Sequence, residues 1–290
     1  MKGAYTMARK TVDLTYLNQK KAAGEKITML TAYDAPTARA LDAAEIDTIL
    51  VGDSAANVVL GYGDTIPVSM DELLMLSAAV VRGNTYAFVI GDMPFMSYNI
   101  RIDETIRNAG RFLKEAGCAA VKMEGGGQVA ETIQAVVRAG IPTIGHLGLT
   151  PQTAQMIGGY RVQGKTADQA AAIVEDSLRL EDAGACMLVL ECIPARLGAL
   201  ISKKLTIPVI GIGAGADCDG QVLVVHDMFG IRAGFTPKFV KSFADIGKQM
   251  EEAARAYKAE VDAKIFPAAP DHSFAMNDDE YGALIKKVGD

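Results

Sequence analysis

The chain contains no unbroken apolar run approaching the roughly 18 residues that a membrane-spanning helix needs, so no membrane partner is expected. It has no basic stripe with interleaved aromatics. Its net charge of −6 and pI near 5.2 argue against nucleic acid as a partner. The opening residues, MKGAYTMARKTVDL, lack the apolar h-region of a secretory signal, and a cytoplasm is the expected compartment. Cysteine is scarce as well. The four present, Cys118, Cys186, Cys192 and Cys218, show no CxxC spacing, and three lie in or beside apolar runs. Reduced thiols in a core account for them better than a disulfide framework or a zinc site.

What is present is the composition of an enzyme-like globule: 290 residues, 50% hydrophobic, 22% charged, with 29 glycines. That length suits one α/β barrel of roughly 250 residues with extensions. Short apolar runs recur at KITMLTAYD, DTILVGDS, YAFVIGDMP, AAVKMEGG, IPTIGHLG, CMLVLECI, IPVIGIGAG and QVLVVHD. Between most of them lie helical patterns such as APTARALDAAE, DETIRNAGRFLKEAG, QVAETIQAVVRAG and ADQAAAIVEDSLRLEDAG, several closed by a glycine (Gly117, Gly140, Gly184). Continuously apolar strands alternating with helices predict a parallel sheet buried on both faces. Eight strands are the number that closes a (β/α)8 barrel; a doubly wound open sheet is the alternative that period alone leaves open.

Three segments follow: an N-terminal extension and helix over 1–26, a barrel over 27–266, and a C-terminal tail over 267–290. A polar helix is expected over 10–26 and a long charged one over 242–264. The acidic tail is expected to be mobile or to pack on a neighbour. There is no internal repeat beyond the β/α alternation and no linker that would divide the chain.

Four of the apolar runs end in an acid: Asp53, Asp92, Glu124 and Glu191. In a parallel barrel the C-terminal strand ends share one rim, which is where barrel active sites lie. Several carboxylates at such a rim repel one another unless cations compensate. Oxygen-only ligands point to Mg²⁺ or a similar hard ion, which takes one or two carboxylates directly and keeps waters, leaving positions for a chelating 2-oxo acid. The competing explanation is that Asp53 and Asp92 cap the helices that follow.

Glu191, after the apolar Met187-Leu188-Val189-Leu190, is a candidate general base or else a buried structural glutamate. Lys122 and Glu124, two apart on one strand, face the same way. They either enter the site, the ammonium holding a substrate carboxylate, or form an internal salt bridge. His146 ends a strand and is one of three histidines; His226 and His272 are weaker candidates. Gly211 to Ala216 fit G-x-G-x-x-A, but they follow the seventh strand and position 236 is a threonine, which excludes a dinucleotide fingerprint. The polar, glycine-rich segment 150–165 is read as a lid or an ordered loop.

Taken together, VGDS at 51–54, GDMPF at 91–95, VKMEGG at 121–126, GHLGLTPQ at 145–152, GGYRVQGK at 158–165, LVLECIP at 188–194 and PVIGIGAG at 208–215 resemble the ketopantoate hydroxymethyltransferase family, over most of the chain from about residue 10 to Phe274. The resemblance implies a (β/α)8 TIM barrel of the phosphoenolpyruvate mutase and isocitrate lyase superfamily. It implies transfer of a one-carbon unit from 5,10-methylenetetrahydrofolate to 3-methyl-2-oxobutanoate, giving 2-dehydropantoate. By the same resemblance Asp53, Asp92 and Glu124 hold one Mg²⁺ per subunit. Asp53, Ser54, Asp92, Lys122 and His146 contact the 2-oxo acid, Glu191 is the catalytic base, and the protein is a homo-oligomer, typically a decamer. One departure stands out: the family usually reads Leu-Gly-Met after Gly-Asp-Ser, where this chain has Ala55-Ala56-Asn57. The alternative chemistry is a Mg²⁺-dependent carbon–carbon lyase acting on a 2-oxo or 2-hydroxy acid, whose usual KKCGH-like segment is absent here.

Overall fold

The computed structural model describes residues 9–231 and 236–289. Eight parallel strands form the sheet: β1 (Ile27–Thr31), β2 (Thr48–Val51), β3 (Phe88–Asp92), β4 (Ala120–Glu124), β5 (Thr143–Gly148), β6 (Met187–Glu191), β7 (Val209–Ile212) and β8 (Gly220–Leu223). They are hydrogen-bonded in chain order, and β8 pairs back onto β1, Ile27 opposite Gly220 and Met29 opposite Val222. The sheet is therefore a closed barrel, which removes the open doubly wound alternative. The eighth strand is shorter than its apolar run. Val225–Phe229 turn into a short helix instead, with the Val225 N–H donating to the Thr31 hydroxyl at 2.9 Å.

The barrel interior follows the period-two alternation of strand side chains. Ile27, Met29, Leu50, Phe88, Ile90, Ala120, Ile144, Met187, Val189, Ile210 and Val222 fill it as one buried cluster. Continuing that phase up each strand from Ile90 leads to Asp92, from Ala120 to Lys122 and Glu124, from Ile144 to His146, and from Val189 to Glu191. The charged residues thus occupy the inward positions directly above the apolar layers. Leu17, fully buried on the helix Leu14–Ala23, and Val12 belong to the same cluster. That helix is shorter than the span 10–26. It starts where the Asp13 carboxylate accepts the Tyr16 N–H at 2.8 Å and stops at Gly24, with φ 71°.

Outward-facing strand residues meet the surrounding helices. Three of these begin at a side-chain cap that satisfies an otherwise orphaned N–H: Asp34 before Ala35–Ala43, Ser69 and Glu72 in a capping box at Met70–Gly83, and Thr166 before Ala167–Asp182. Gly117, Gly140 and Gly184 end their segments at φ values of 80°, 87° and 96°, as the glycine pattern predicts. The run DETIRNAGRFLKEAG is not uniform. An α-helix over Ile102–Arg111 gives way to a π-helical turn over Phe112–Ala116.

This barrel with its helices forms one compact unit, which ends at Met228 and takes in the described part of Ala233–Lys241. A second unit holds the described parts of Phe229–Arg232 and Ser242–Asp290. Within it, the charged helix runs over Ile246–Asp262 with no buried residue, its surface laced by i,i+4 ion pairs such as Arg255–Glu251. The tail contains a helix, Asp278–Val288, that hydrophobic period alone did not announce. Its signals are at its ends: Asn277 as cap, three acids in the first turn and two lysines in the last. No helix among the described residues is long and apolar enough to cross a membrane.

Gly91 shows how tightly the helices seat on the strands beneath the rim. A Cβ there would fall 2.3 Å from the ring of Phe112, itself fully buried, one residue before Asp92. Gly91→Ala is expected to cost about 1–3 kcal/mol through overpacking. A urea titration of the variant tests this, and an unchanged midpoint would contradict the packing argument.

Candidate active site

The inward charged residues converge above the apolar layers, held by strand register: Asp92 pairs with Lys122, Glu124 with His146, and Gly148 with Glu191. The Lys122 ammonium, 3% exposed, lies 2.9 Å from Asp92 Oδ1 and 3.4 Å from Glu124 Oε1. His146 Nδ1 is 3.0 Å from the same Glu124 oxygen, and its Nε2 is 3.4 Å from Glu191 Oε2. Asp53 joins from the neighbouring loop, where its N–H donates to Asp92 Oδ2 at 2.9 Å. All six line a single cavity of about 570 Å³, together with Ser54. Every residue expected at the site is therefore brought to it.

The electrostatics sort these groups. Burial, then the neighbouring Asp92 and Glu124, push Asp53 well above the usual carboxylate range. Asp92 is pushed up by burial and by Glu124, against the pull of Lys122. Glu124 goes the other way: burial opposes its charge, but Lys122 and His146 outweigh burial and hold it at about 2. Burial and the Lys122 ammonium disfavour a charged His146, yet Glu124 and Glu191 lift it to about 9. Lys122, for all its burial, is held in the charged form by Asp92, Glu124 and Asp53. Two cations thus face four carboxylates, two of which are ionised only against resistance.

That imbalance fits a further cation. Asp92 Oδ1 is buried and faces the Lys122 ammonium at 2.9 Å, with no other donor to it among the described residues, so the oxygen keeps a lone pair unused. Among the described residues no group of three or more His, Cys, Asp or Glu side chains is arranged to hold a metal ion by itself. Oxygen donors in twos, with waters completing the shell, are the mode of Mg²⁺ rather than of zinc. The capping explanation for the two aspartates does not hold. The short helix Ala55–Val58 begins after Ser54, the helix Ile102–Arg111 after Arg101, and neither takes a side-chain cap from Asp53 or Asp92. For Lys122 and Glu124 the internal ion pair and the site are the same arrangement, since both also line the cavity. Glu191 is less enclosed than its apolar strand suggests. Its side chain is 16% exposed where those of Asp92 and Glu124 are 1%, so it is the carboxylate most open to an entering molecule.

Several contributors escape the pattern of the sequence. Tyr33, buried, places its hydroxyl 2.8 Å from Ser54 Oγ. Gln152 and Tyr98 tie the rim loops together, with Gln152 donating to Asp53 and accepting from Tyr98. Gln152 lies at the end of GHLGLTPQ and was visible as part of a motif; Tyr98 carried no signal. The segment 150–165 borders the cavity through Pro151, Tyr160, Arg161 and Val162. His226 stands beside the Tyr33 ring, 5.5 Å between centroids, and His272 pairs with Phe266 in the second unit; neither lines the cavity. All four cysteines are free. Cys192 lines the cavity, but burial pushes its thiol up to about 12, which leaves it protonated and a poor nucleophile at neutral pH.

Lys122→Met removes the central cation while Asp92 and Glu124 stay buried. The expected loss in the cation-free protein is about 3–5 kcal/mol, the usual result of stripping one partner from a buried ion network. Chemical denaturation checks it. A loss below about 1 kcal/mol would mean that the carboxylates are relieved by other means.

Comparison with known proteins gives a consistent picture. The model of the family described as ketopantoate hydroxymethyltransferase matches residues 11–269. A 3-methyl-2-oxobutanoate hydroxymethyltransferase of Syntrophomonas wolfei is 51% identical over 273 residues, covering 94% of this chain and 98% of the relative. The enzyme of that name from Acetivibrio thermocellus is 51% identical over 272 residues, covering 94% and 95%. Among solved structures, phosphonopyruvate hydrolase in complex with oxalate and Mg²⁺ superposes with a TM-score of 0.57 at 12% identity, covering 96% of this chain and 99% of that one. A 2,3-dimethylmalate lyase of the PEP mutase/isocitrate lyase superfamily gives 0.55 at 15% identity, covering 95% and 99%. These two likenesses establish the fold and nothing finer.

Proposed function

The chain belongs to the ketopantoate hydroxymethyltransferase family, a family of enzymes, and from that premise we propose that it transfers a hydroxymethyl group from 5,10-methylenetetrahydrofolate to 3-methyl-2-oxobutanoate. The product is 2-dehydropantoate, on the route to pantothenate. The observation that carries the proposal is the rim itself: a sealed network of Asp53, Asp92, Lys122, Glu124 and His146, with one more open carboxylate, Glu191, at its edge.

Asp53 and Asp92, with Glu124 behind them, are the residues that would hold a divalent cation, Mg²⁺ by donor type. When bound, such an ion supplies positive charge for the oxyanion that develops on the substrate carbonyl. The chain supplies the rest. Ser54, whose hydroxyl lies 2.8 Å from that of Tyr33, and the Lys122 ammonium, both lining the cavity, would take the substrate carboxylate. Glu191 removes the proton from C3 and stores it on its carboxyl. The His146 ring, 3.4 Å away and pinned to Glu124 on its other nitrogen, holds Glu191 in place. The C3 carbanion equivalent then forms a carbon–carbon bond to the one-carbon unit, whose two bonds to the folate nitrogens break. One water supplies the hydroxyl, and the C3 proton and the remaining water proton end on those nitrogens, so that ketoacid, methylenetetrahydrofolate and water balance against dehydropantoate and tetrahydrofolate. The apolar wall of Leu149, Val189, Ile212 and Val222 keeps the cavity poor in competing water. Assembly as a homodecamer in a cytoplasm belongs to the same reading, and sedimentation velocity measures the assembly.

Glu191→Gln keeps shape and hydrogen-bonding capacity but cannot take up a proton. The turnover number for dehydropantoate formation should fall at least ~10²-fold, the usual scale for a general base. Ketoacid affinity by calorimetry should stay close to that of the unaltered protein. Normal turnover in the variant would remove Glu191 from the role. Failure of the unaltered protein to form dehydropantoate, with cleavage of 2-oxo or 2-hydroxy acids instead, would favour the lyase chemistry.

A further inference from the structure

Gln152 sits in a short 3-10 turn, Pro151–Thr153, just beyond β5, and is 3% exposed. Every polar atom of its side chain is engaged. The amide nitrogen donates to Asp53 Oδ2 and to the Met93 carbonyl, both at 3.0 Å. The amide oxygen accepts from the Tyr98 hydroxyl at 2.6 Å. Its backbone N–H donates to Glu124 Oε2 at 3.0 Å. One residue therefore touches the loops that follow β2 and β3 and the last residue of β4 as well as its own turn, and grips two of the three carboxylates read as cation ligands.

The chemistry of the partners permits only one orientation of the amide. The Met93 carbonyl can only accept, so the nitrogen must face it, and with it Asp53. The Tyr98 oxygen accepts the Glu124 N–H at 3.2 Å, which leaves its proton free for the Gln152 oxygen. Neither Gln152 nor Tyr98 borders the cavity. They can influence it only through Asp53 and Glu124. The donor is also neutral, so it orients carboxylates without contributing a positive charge that would compete with a bound cation, as a lysine here would. Asp53 is consequently held twice, by Gln152 at its carboxylate and by Asp92 at its backbone N–H.

We propose that Gln152 is the positioning residue for divalent-cation binding at this rim, and that the Tyr98 hydroxyl works through it by fixing the direction of its amide. The inference rests on the cation site of the proposed function and goes beyond it in naming what orients the ligands. Outer partners of metal ligands of this kind are commonly worth about 10–100-fold in metal affinity.

The test uses the full-length protein, stripped with EDTA and titrated with Mn²⁺ while free Mn²⁺ is read by electron paramagnetic resonance. Gln152→Leu should weaken Mn²⁺ binding by about 10–100-fold. Tyr98→Phe should weaken it by a smaller factor. The double variant should bind no more weakly than Gln152→Leu alone, because Tyr98 has nothing left to orient. Equal Mn²⁺ affinity in the unaltered protein and both single variants, whatever their melting temperatures, would overturn the inference and leave the cation site standing. Independent, additive losses would overturn the ordering of Tyr98 behind Gln152. An unaltered protein that binds no Mn²⁺ would overturn both the inference and the cation reading beneath it. Should Gln152→Leu not fold, Tyr98→Phe, which deletes a single oxygen, decides: unchanged affinity in it overturns the proposal.

Discussion

An ammonium buried among carboxylates is the interaction on which the rest of this structure depends. Lys122 is inside the barrel mouth, where an unpaired charge would be prohibitively costly to desolvate, and it remains charged only because Asp92, Glu124 and Asp53 surround it. The dependence is mutual. Glu124 is kept ionised by Lys122 and His146, and His146 is kept protonated by Glu124 and Glu191. What the network fails to neutralise is as informative as what it does. Asp53 and Asp92 are left resisting ionisation, a standing electrostatic strain at the place where a functional cation would bind.

The barrel makes this concentration of charge possible. Its lower interior is filled by Ile27, Phe88, Met187 and their neighbours, so the charged layer rests on a dry floor. Parallel strands deliver every upper inward position to the same rim, and the loops then lock one another. Asp53 bonds to Asp92, Tyr98 to Glu124 and Gln152, and Gln152 to Asp53 and Met93. Beneath the rim, close contacts such as that of Phe112 on Gly91 leave β3 little room to shift. Precision at the site is thus a property of the scaffold and its outer hydrogen bonds, while Glu191 is the rim carboxylate most open to an entering molecule.

Much of this was legible in the sequence because two periodicities reinforce each other. Apolar runs of strand length repeat eight times, and an acid ends four of them, so the rim could be anticipated once the strands were taken as parallel. Closure needed the β8–β1 pairing, which no local pattern encodes. The terminal helices were less clear for a related reason. Asp278–Val288 buries no residue, so it lacks the core-facing stripe that makes a helix visible, and only its caps reveal it. Tyr98 illustrates the limit most sharply: it lies in a loop, at no repeat position, and its importance arises from hydrogen bonds to two residues distant in sequence, Glu124 and Gln152. Residues that act through others leave a spatial signature and no local one.

If this rim enolises a branched 2-oxo acid, proton NMR of 3-methyl-2-oxobutanoate in D₂O, with the purified protein and Mg²⁺ and no folate, will record it. The C3 proton signal should be lost steadily while the methyl signals are retained, and EDTA should stop the loss. Persistence of the C3 signal with protein and Mg²⁺ present, and again after methylenetetrahydrofolate is added, would contradict enolisation at this rim.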